Sequence, residues 1–550
     1  MRSLVLLLST AGFLVCLLAG TNARAESTKG KAVASKPSPQ PAVATDVRAT
    51  VRFAGSRTAD LFTLEISESL QGLIERNARP LSDPELAGFV SASIDGRPWT
   101  DTMWTRDSGV FLRELVHWGY LGHAAATARY LMEHVKKSDA GFFTFPQHLD
   151  PRAVATGSEI DGTSAIVIGM VLLWERMPAS DPARAHLYEF LHQPASPLRY
   201  MTAILSHQPL VSGSGEFGGG MGIGGDFLNV VQNGLVRLAL AAGARMEQAA
   251  GDRTAAAEYR AKADALGRSM VELLRGPDGA WIWALRAADR KPDPAILASV
   301  LNRGFGGING VLAMYADVYG LDPGHSNWGG IPISTKTLDK VGDFPMRRAQ
   351  FEKHGIWTQF DVLAGGYLTS PSYGQGYALQ SLLLLDRLEA ADRALRYLAQ
   401  ATFAPPKEYV LHRDSPYWFY ERLYSPDAVG RVTLEEGCGA LNLVNVAEPL
   451  KVARLMVGVD DSDAAELKVL PRLPPSISSY EVTALPVRTS RGTSRINLKF
   501  EREPAGGGKP HIELHVTAGP PLPKLAVRLQ GPKGPWQRLR DVSKANLSAR

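Results

Sequence analysis

Cysteine is nearly absent from these 550 residues, with only Cys16 and Cys438. Cys16 falls inside an apolar N-terminal run, so a chain that loses that run has no internal disulfide and depends on a large core. A hydrophobic content of 45% can supply one. Long apolar runs are equally scarce: after residues 4–19 none approaches a membrane span. An excess of one charge is missing too. The formal charge is +5, and losing residues 1–25 removes Arg2 and Arg24 but no acid, which leaves +3. The basic residues form no long run, which argues against nucleic acid as the main partner. No short fixed period recurs, so a helical-repeat solenoid ranks below a closed arrangement.

Met1-Arg2, the apolar stretch Leu4 to Ala19 and the small-x-small triplet Ala23-Arg24-Ala25 read as a signal peptide over 1–25. They predict an exported protein, periplasmic or secreted, with no membrane span after cleavage. Residues 26–50 are rich in Ser, Lys and Pro without periodicity and read as a flexible linker. From 51 to 460 one helical pattern follows another. Runs that are apolar nearly all round, such as the one opening at Asp161 and the one opening at Asp226, alternate with amphipathic stretches such as Arg253 to Leu274. Buried and amphipathic helices in turn imply hairpins around a centre. About a dozen helices fit a mainly α fold, an (α/α)6 toroid. Residues 461–550 alternate as half-buried strands, for example Ser494 to Glu501 and His511 to Val516, and predict a small C-terminal antiparallel β-sandwich.

In such a toroid the loops entering the inner helices gather at one end, and loops on a rigid scaffold are the usual seat of function. Trp104-Thr105-Arg106-Asp107 joins an indole, a forked donor and an acceptor at a helix start, the set of groups that grips a sugar. Alone, an Arg–Asp pair beside a Trp reads more often as a structural cap. Trp328, Trp357, Tyr373 and Trp418 stand in similar loops beside Gly or His, and about half of them would line a cleft. The twelve histidines show no metal-binding spacing and no carboxylate cluster reads as a calcium loop, so neither metal nor cofactor is expected.

Trp104 to Asp107, leading into an inner helix, resembles the corresponding segment of glucoamylases and related six-hairpin glycosidases. Ser158-Glu159-Ile160-Asp161 resembles their next such segment. Glu448 to Asp460, Leu470 to Pro474 and Arg488 to Gly492 are similar to the end of the bacterial α-L-rhamnosidase barrel and the start of its β-sandwich. The resemblance implies a glycoside hydrolase acting with inversion on an oligo- or polysaccharide. It places Arg106 and Asp107 on hydroxyls of the sugar beside the cleaved bond, with Trp104 as a wall and Asp161 close by. The chain departs from the glucoamylase acid segment, having Gly215-Glu216-Phe217 followed by glycines.

Glycoside hydrolysis needs one protonated and one ionised carboxyl. Glu216, the sole carboxylate in a Gly- and Ser-rich stretch ahead of a buried helix, is the candidate acid. Glu436 is the candidate base, with Glu435 as its alternative, because two adjacent acids cannot easily share one pocket. Asp161 and Asp226 stand in reserve, though each also reads as an ordinary helix-start acid. A polysaccharide lyase using Tyr373 or His354 with Arg106, and a non-catalytic carbohydrate-binding protein, are the competing readings.

Overall fold

The computed structural model describes residues 46–549 except 94–101, 151–152, 157–158, 213–226, 278–280, 283, 293–311, 323–366, 370–372, 404–408, 411–421, 425–431, 436–442, 504–507 and 532–533. The described chain is mainly helical, with antiparallel sheet. Its helices are α1 (Arg57–Gln71), α2 (Thr105–His117), α3 (Leu121–Glu133), α4 (Ile160–Arg176), α5 (Pro182–His192), α6 (Pro197–Ile204), α7 (Val230–Ala250) and α8 (Arg253–Leu273). They continue as α9 (Leu312–Tyr319), α10 (Tyr373–Leu384), α11 (Leu388–Phe403) and α12 (Leu443–Val457).

Local chemistry sets many of these boundaries. Ser56, Asp181, Ser196, Asn229 and Asp252 each accept a backbone N–H in the first turn of the helix they precede. Pro182 and Pro197 occupy the first helical position, where no N–H is needed, so the stretch from Arg184 to Leu205 is two helices. Gly251, at φ +97°, turns the chain from α7 directly into α8. The helix expected from Asp226 starts instead at Val230, because Phe227–Asn229 is a short strand paired with Ala284–Arg286 and Asn229 is the cap.

Six helices form a closed circuit of neighbours: α2 packs on α4, α4 on α7, α7 on α9, α9 on α10, α10 on α12, and α12 on α2. One of them, α4, buries every residue except Glu175. The helices α3, α5, α6, α8, α11 and α1 pack against these six. A Cβ on Gly109 would come within 2.5 Å of the Ala165 carbonyl carbon, and one on Gly169 within 2.9 Å of Leu112. Residues rise in step along α2 and α4, so the two helices are parallel and their first turns touch.

Sheet strands follow at the C-terminal side. One sheet has the order Thr50–Ala54, Ser479–Thr489, Gly492–Glu501, His511–Ala518, Lys544–Ser548, all antiparallel. The other has Val459–Asp460, Leu467–Val469, Leu522–Val527 and Gln537–Val542, and its central pairing is parallel (Leu467 opposite Leu525). Thr50–Ala54, placed by its sequence position with the helical region, therefore belongs to a C-terminal sheet. The last linker residues are also anchored: Asp46 meets His123 at 2.6 Å and Ala49 is buried, its N–H donating to the Trp118 carbonyl.

A buried ionic network ties the helices to these sheets. Arg454 of α12 forks onto Glu114 of α2 (2.6 and 3.0 Å) and reaches Asp317 of α9 (2.9 Å), which also meets Arg113 and His117. Arg176 pairs with Asp461 at 2.6 Å, while Arg488 pairs with Glu175 and donates its backbone N–H to Asp461. Arg472, almost fully buried, donates to the Leu321 carbonyl at 2.6 Å and to Asp386 at 3.2 Å. The Leu470–Pro474 and Arg488–Gly492 segments thus carry staples between helices and sheets.

Glu448 of α12 is fully buried between Lys451 and Gln380. Burial raises its pKa to about 7, against the opposing pull of Lys451. The folded chain therefore holds an extra proton between pH 4.5, the ordinary glutamate value, and about 7, so this group's stabilisation is full below that window and declines through it. Urea midpoints at pH 5 and pH 8 test this. The parent is expected to lose stability relative to Glu448→Gln at pH 8; an unchanged gap contradicts it.

Candidate active site

The short strand Met103–Trp104 pairs antiparallel with His148–Asp150, setting Trp104 opposite His148. Thr105 then starts α2. Its buried hydroxyl donates to the Pro146 carbonyl at 2.7 Å and its backbone N–H to the Gln147 carbonyl at 3.1 Å. Ser108 closes the turn by donating to the Trp104 carbonyl at 2.7 Å. These bonds fix where the Trp-Thr-Arg-Asp stretch leaves extended backbone and becomes helix.

Asp161 lies in the first turn of α4, fully buried, and accepts the Gly162 N–H at 3.0 Å. Gly162 permits the approach of the two helix starts, since a Cβ there would stand 2.6 Å from the Thr105 hydroxyl and 3.1 Å from the Arg106 nitrogen. Two acids, Asp107 and Asp161, therefore sit in adjacent helix first turns, where the dipoles favour negative charge. Arg106 lies between them, its Nε 3.5 Å from Asp107 and a terminal nitrogen 3.9 Å from Asp161. Both separations exceed the roughly 2.7–2.9 Å of a charge-assisted hydrogen bond, so the acids hold the guanidinium's charge here without gripping it in a fork.

Trp104 and His148 are half-buried, their rings 5.4 Å apart and tilted by 38°. Burial, reinforced by Lys136 and opposed by Asp150, lowers the His148 pKa below 6.5. The imidazole is neutral at pH 7 and offers one donor and one acceptor. Gln147 donates to buried Glu159 at 3.2 Å beneath the same mouth. Glu159 and His148 were visible in the sequence only as loop members. Nothing in their spacing distinguished them from surface residues, because the strand pairing that sets His148 beside Trp104 crosses more than forty residues.

Trp104, Arg106, Asp107 and Asp161 are thus brought together. Glu216, Glu436, Asp226, Trp328, Trp357, Trp418 and His354 lie outside the described residues. Glu435 ends the strand Val432–Glu435, opposite Arg422, and Tyr373 is the first residue of α10; only their backbone is described.

Arg106→Lys is expected to lower kcat/KM on a cleaved substrate by about 10–100-fold, the loss of one or two hydrogen bonds to a charged group, because an ammonium cannot present a planar fork. Unfolding followed in parallel should change little. An unaltered kcat/KM would remove Arg106 from substrate binding.

No protein-family model matches the chain, and neither does any curated protein. Among solved structures, a GH78 family rhamnosidase of Bacillus sp. GL1 aligns with TM-score 0.52 at 12% identity, covering 87% of this chain and 42% of its own. An α-L-rhamnosidase from Dictyoglumus thermophilum aligns with TM-score 0.49 at 7% identity, over 87% of this chain and 45% of its own. A glucoamylase from Saccharomycopsis fibuligera gives TM-score 0.48 at 12% identity, over 74% and 96%. The chain spans less than half the length of either rhamnosidase. At the level of fold, the resemblance to six-hairpin glycosidase-like enzymes read in the sequence is shown.

Proposed function

We propose that this chain is an exported glycoside hydrolase that cleaves an oligo- or polysaccharide with inversion. The observation that carries the reading is the joined mouth of α2 and α4, where Arg106 stands between Asp107 and Asp161 beside the Trp104 ring. A guanidinium held by carboxylates next to an aromatic face can take vicinal hydroxyls and the apolar face of one pyranose together.

In this reading the six-helix circuit is the inner wall of an (α/α)6 toroid, and the two C-terminal sheets are its β-sandwich. Connectivity supports it. In chain order one outer helix lies between α2 and α4, one between α7 and α9, and one between α10 and α12, each packed on the inner helix before it. The segments bearing Glu216 and Glu436 precede α7 and α12, the circuit neighbours of α4 and α2. In chain order Glu216 thus comes before α7 and Glu436 before α12.

Glu216 donates a proton to the leaving glycosidic oxygen. Glu436 takes a proton from a water that attacks the anomeric carbon from the opposite face, which calls for roughly 6.5–9.5 Å between the two carboxyl groups. Arg106, Asp107 and Asp161 orient the sugar during that step. A panel of cell-wall, plant and storage glycans assayed for reducing-end release tests the proposal. Release from at least one glycan is expected. Products carrying an unsaturated ring that absorbs in the ultraviolet would show a lyase instead, and binding without turnover would show a sugar-binding protein.

A further inference from the structure

We propose that His192, Glu247 and Asp252 form a site for a divalent cation of the zinc class, separate from the sugar mouth. One potential ligand atom from each of the three lies within 4.8 Å of the others. The residues come from the end of α5, the last turns of α7 and the cap of α8. Glu247 is about 25 Å along α7 from its first residue, at 1.5 Å per residue.

Charge balance points to a cation. Glu247 is fully buried and makes no direct ion pair with a described lysine or arginine; Arg199, which acts on it electrostatically, is engaged with Glu258 at 2.5 Å. Its partners are the Tyr188 hydroxyl at 2.9 Å and the His192 Nδ1 at 3.0 and 3.2 Å. A carboxylate without a permanent cation beside it is costly to bury. Asp252 adds a second negative charge. Its Oδ1 is occupied by the Thr254 and Ala255 N–H groups, so a cation would draw on Oδ2. A dication balances the two carboxylates.

The surroundings suit zinc. One nitrogen and two carboxylate oxygens are a common donor set for it, with water completing four-coordination. The His192 side chain is 40% exposed, so solvent reaches this corner. Its ring stacks on Tyr188 (5.0 Å, 16°), and Tyr188 also donates to Glu247, so both ligands are held in orientation. Bound there, the cation would staple α5, α7 and α8 together. The separations of 55 and 5 residues match no metal motif, so spacing alone does not reveal the site.

The test uses the full chain without an affinity tag, stripped with EDTA, dialysed and titrated with Zn2+ alone. Metal content and thermal unfolding are read together. The parent is expected to hold one Zn2+ per chain and to unfold at higher temperature when loaded. His192→Ala and Asp252→Asn, the latter keeping a helix cap, should bind at least tenfold more weakly and lose the thermal shift. A parent that retains no stoichiometric Zn2+, or variants that retain as much as the parent, would overturn the site and leave a simple His192–Glu247 pair.

Discussion

Glu216→Gln and Glu436→Gln are each expected to lower kcat by about 10²–10⁴-fold, the usual contribution of a positioned acid or base. The two losses differ in character. A glycoside with a good leaving group needs little proton donation, so such a substrate should recover much of the activity of Glu216→Gln and none of that of Glu436→Gln. Glu435→Gln should be mild by comparison, since two adjacent acids cannot easily share one pocket. Folding is monitored by near-ultraviolet circular dichroism. If either main variant turns over natural substrate at the parental rate, that residue is not the acid or base.

The largest expected stability loss lies at Arg454. Its guanidinium joins three helices of the circuit through Glu114 and Asp317, and both carboxylates are buried. Burial works to raise their pKa values, but Arg454 and its neighbours outweigh it. Glu114 is lowered, and Asp317, which Arg113 also faces, lies well below 3.8. Removing one partner of a buried pair strands the other charge, so Arg454→Met should destabilise by about 3–5 kcal/mol. Glu114→Met with Arg454→Met should cost less than the sum of the single changes, because no charge is stranded on that side. Since both carboxylates are depressed, the network's contribution is present at neutral pH and fades as pH falls below about 4, so the parent–variant gap should narrow in acid. Urea unfolding at pH 7 and pH 3 reads both effects; a gap that is small at pH 7 would contradict them.

The parts legible in the sequence were those with short-range causes. The buried character of α4 follows from an almost wholly apolar run, and its start near Asp161 follows from the acid that opens it. The Trp104–Asp107 stretch stood out because several sugar-reading groups fall within one helix start. What stayed hidden depends on distant partners. Thr50–Ala54 is short and alternates, but its pairing strand lies more than 420 residues further on. Arg454, Glu114 and Asp317 look like ordinary helix charges until three helices meet, and Asn229 displaces Asp226 as a helix start only because a strand precedes it. The approach of Arg106 to Asp161 required Gly162, which the sequence shows as one glycine among 53.

The most direct test of the central claim is proton NMR of the first products formed by the parent protein on a glycan it cleaves. The proposed pair of carboxyls with a water between them predicts a new reducing end that appears first as the anomer opposite to the bond broken and only later mutarotates. First appearance of the retained anomer, or of an unsaturated sugar, would contradict it.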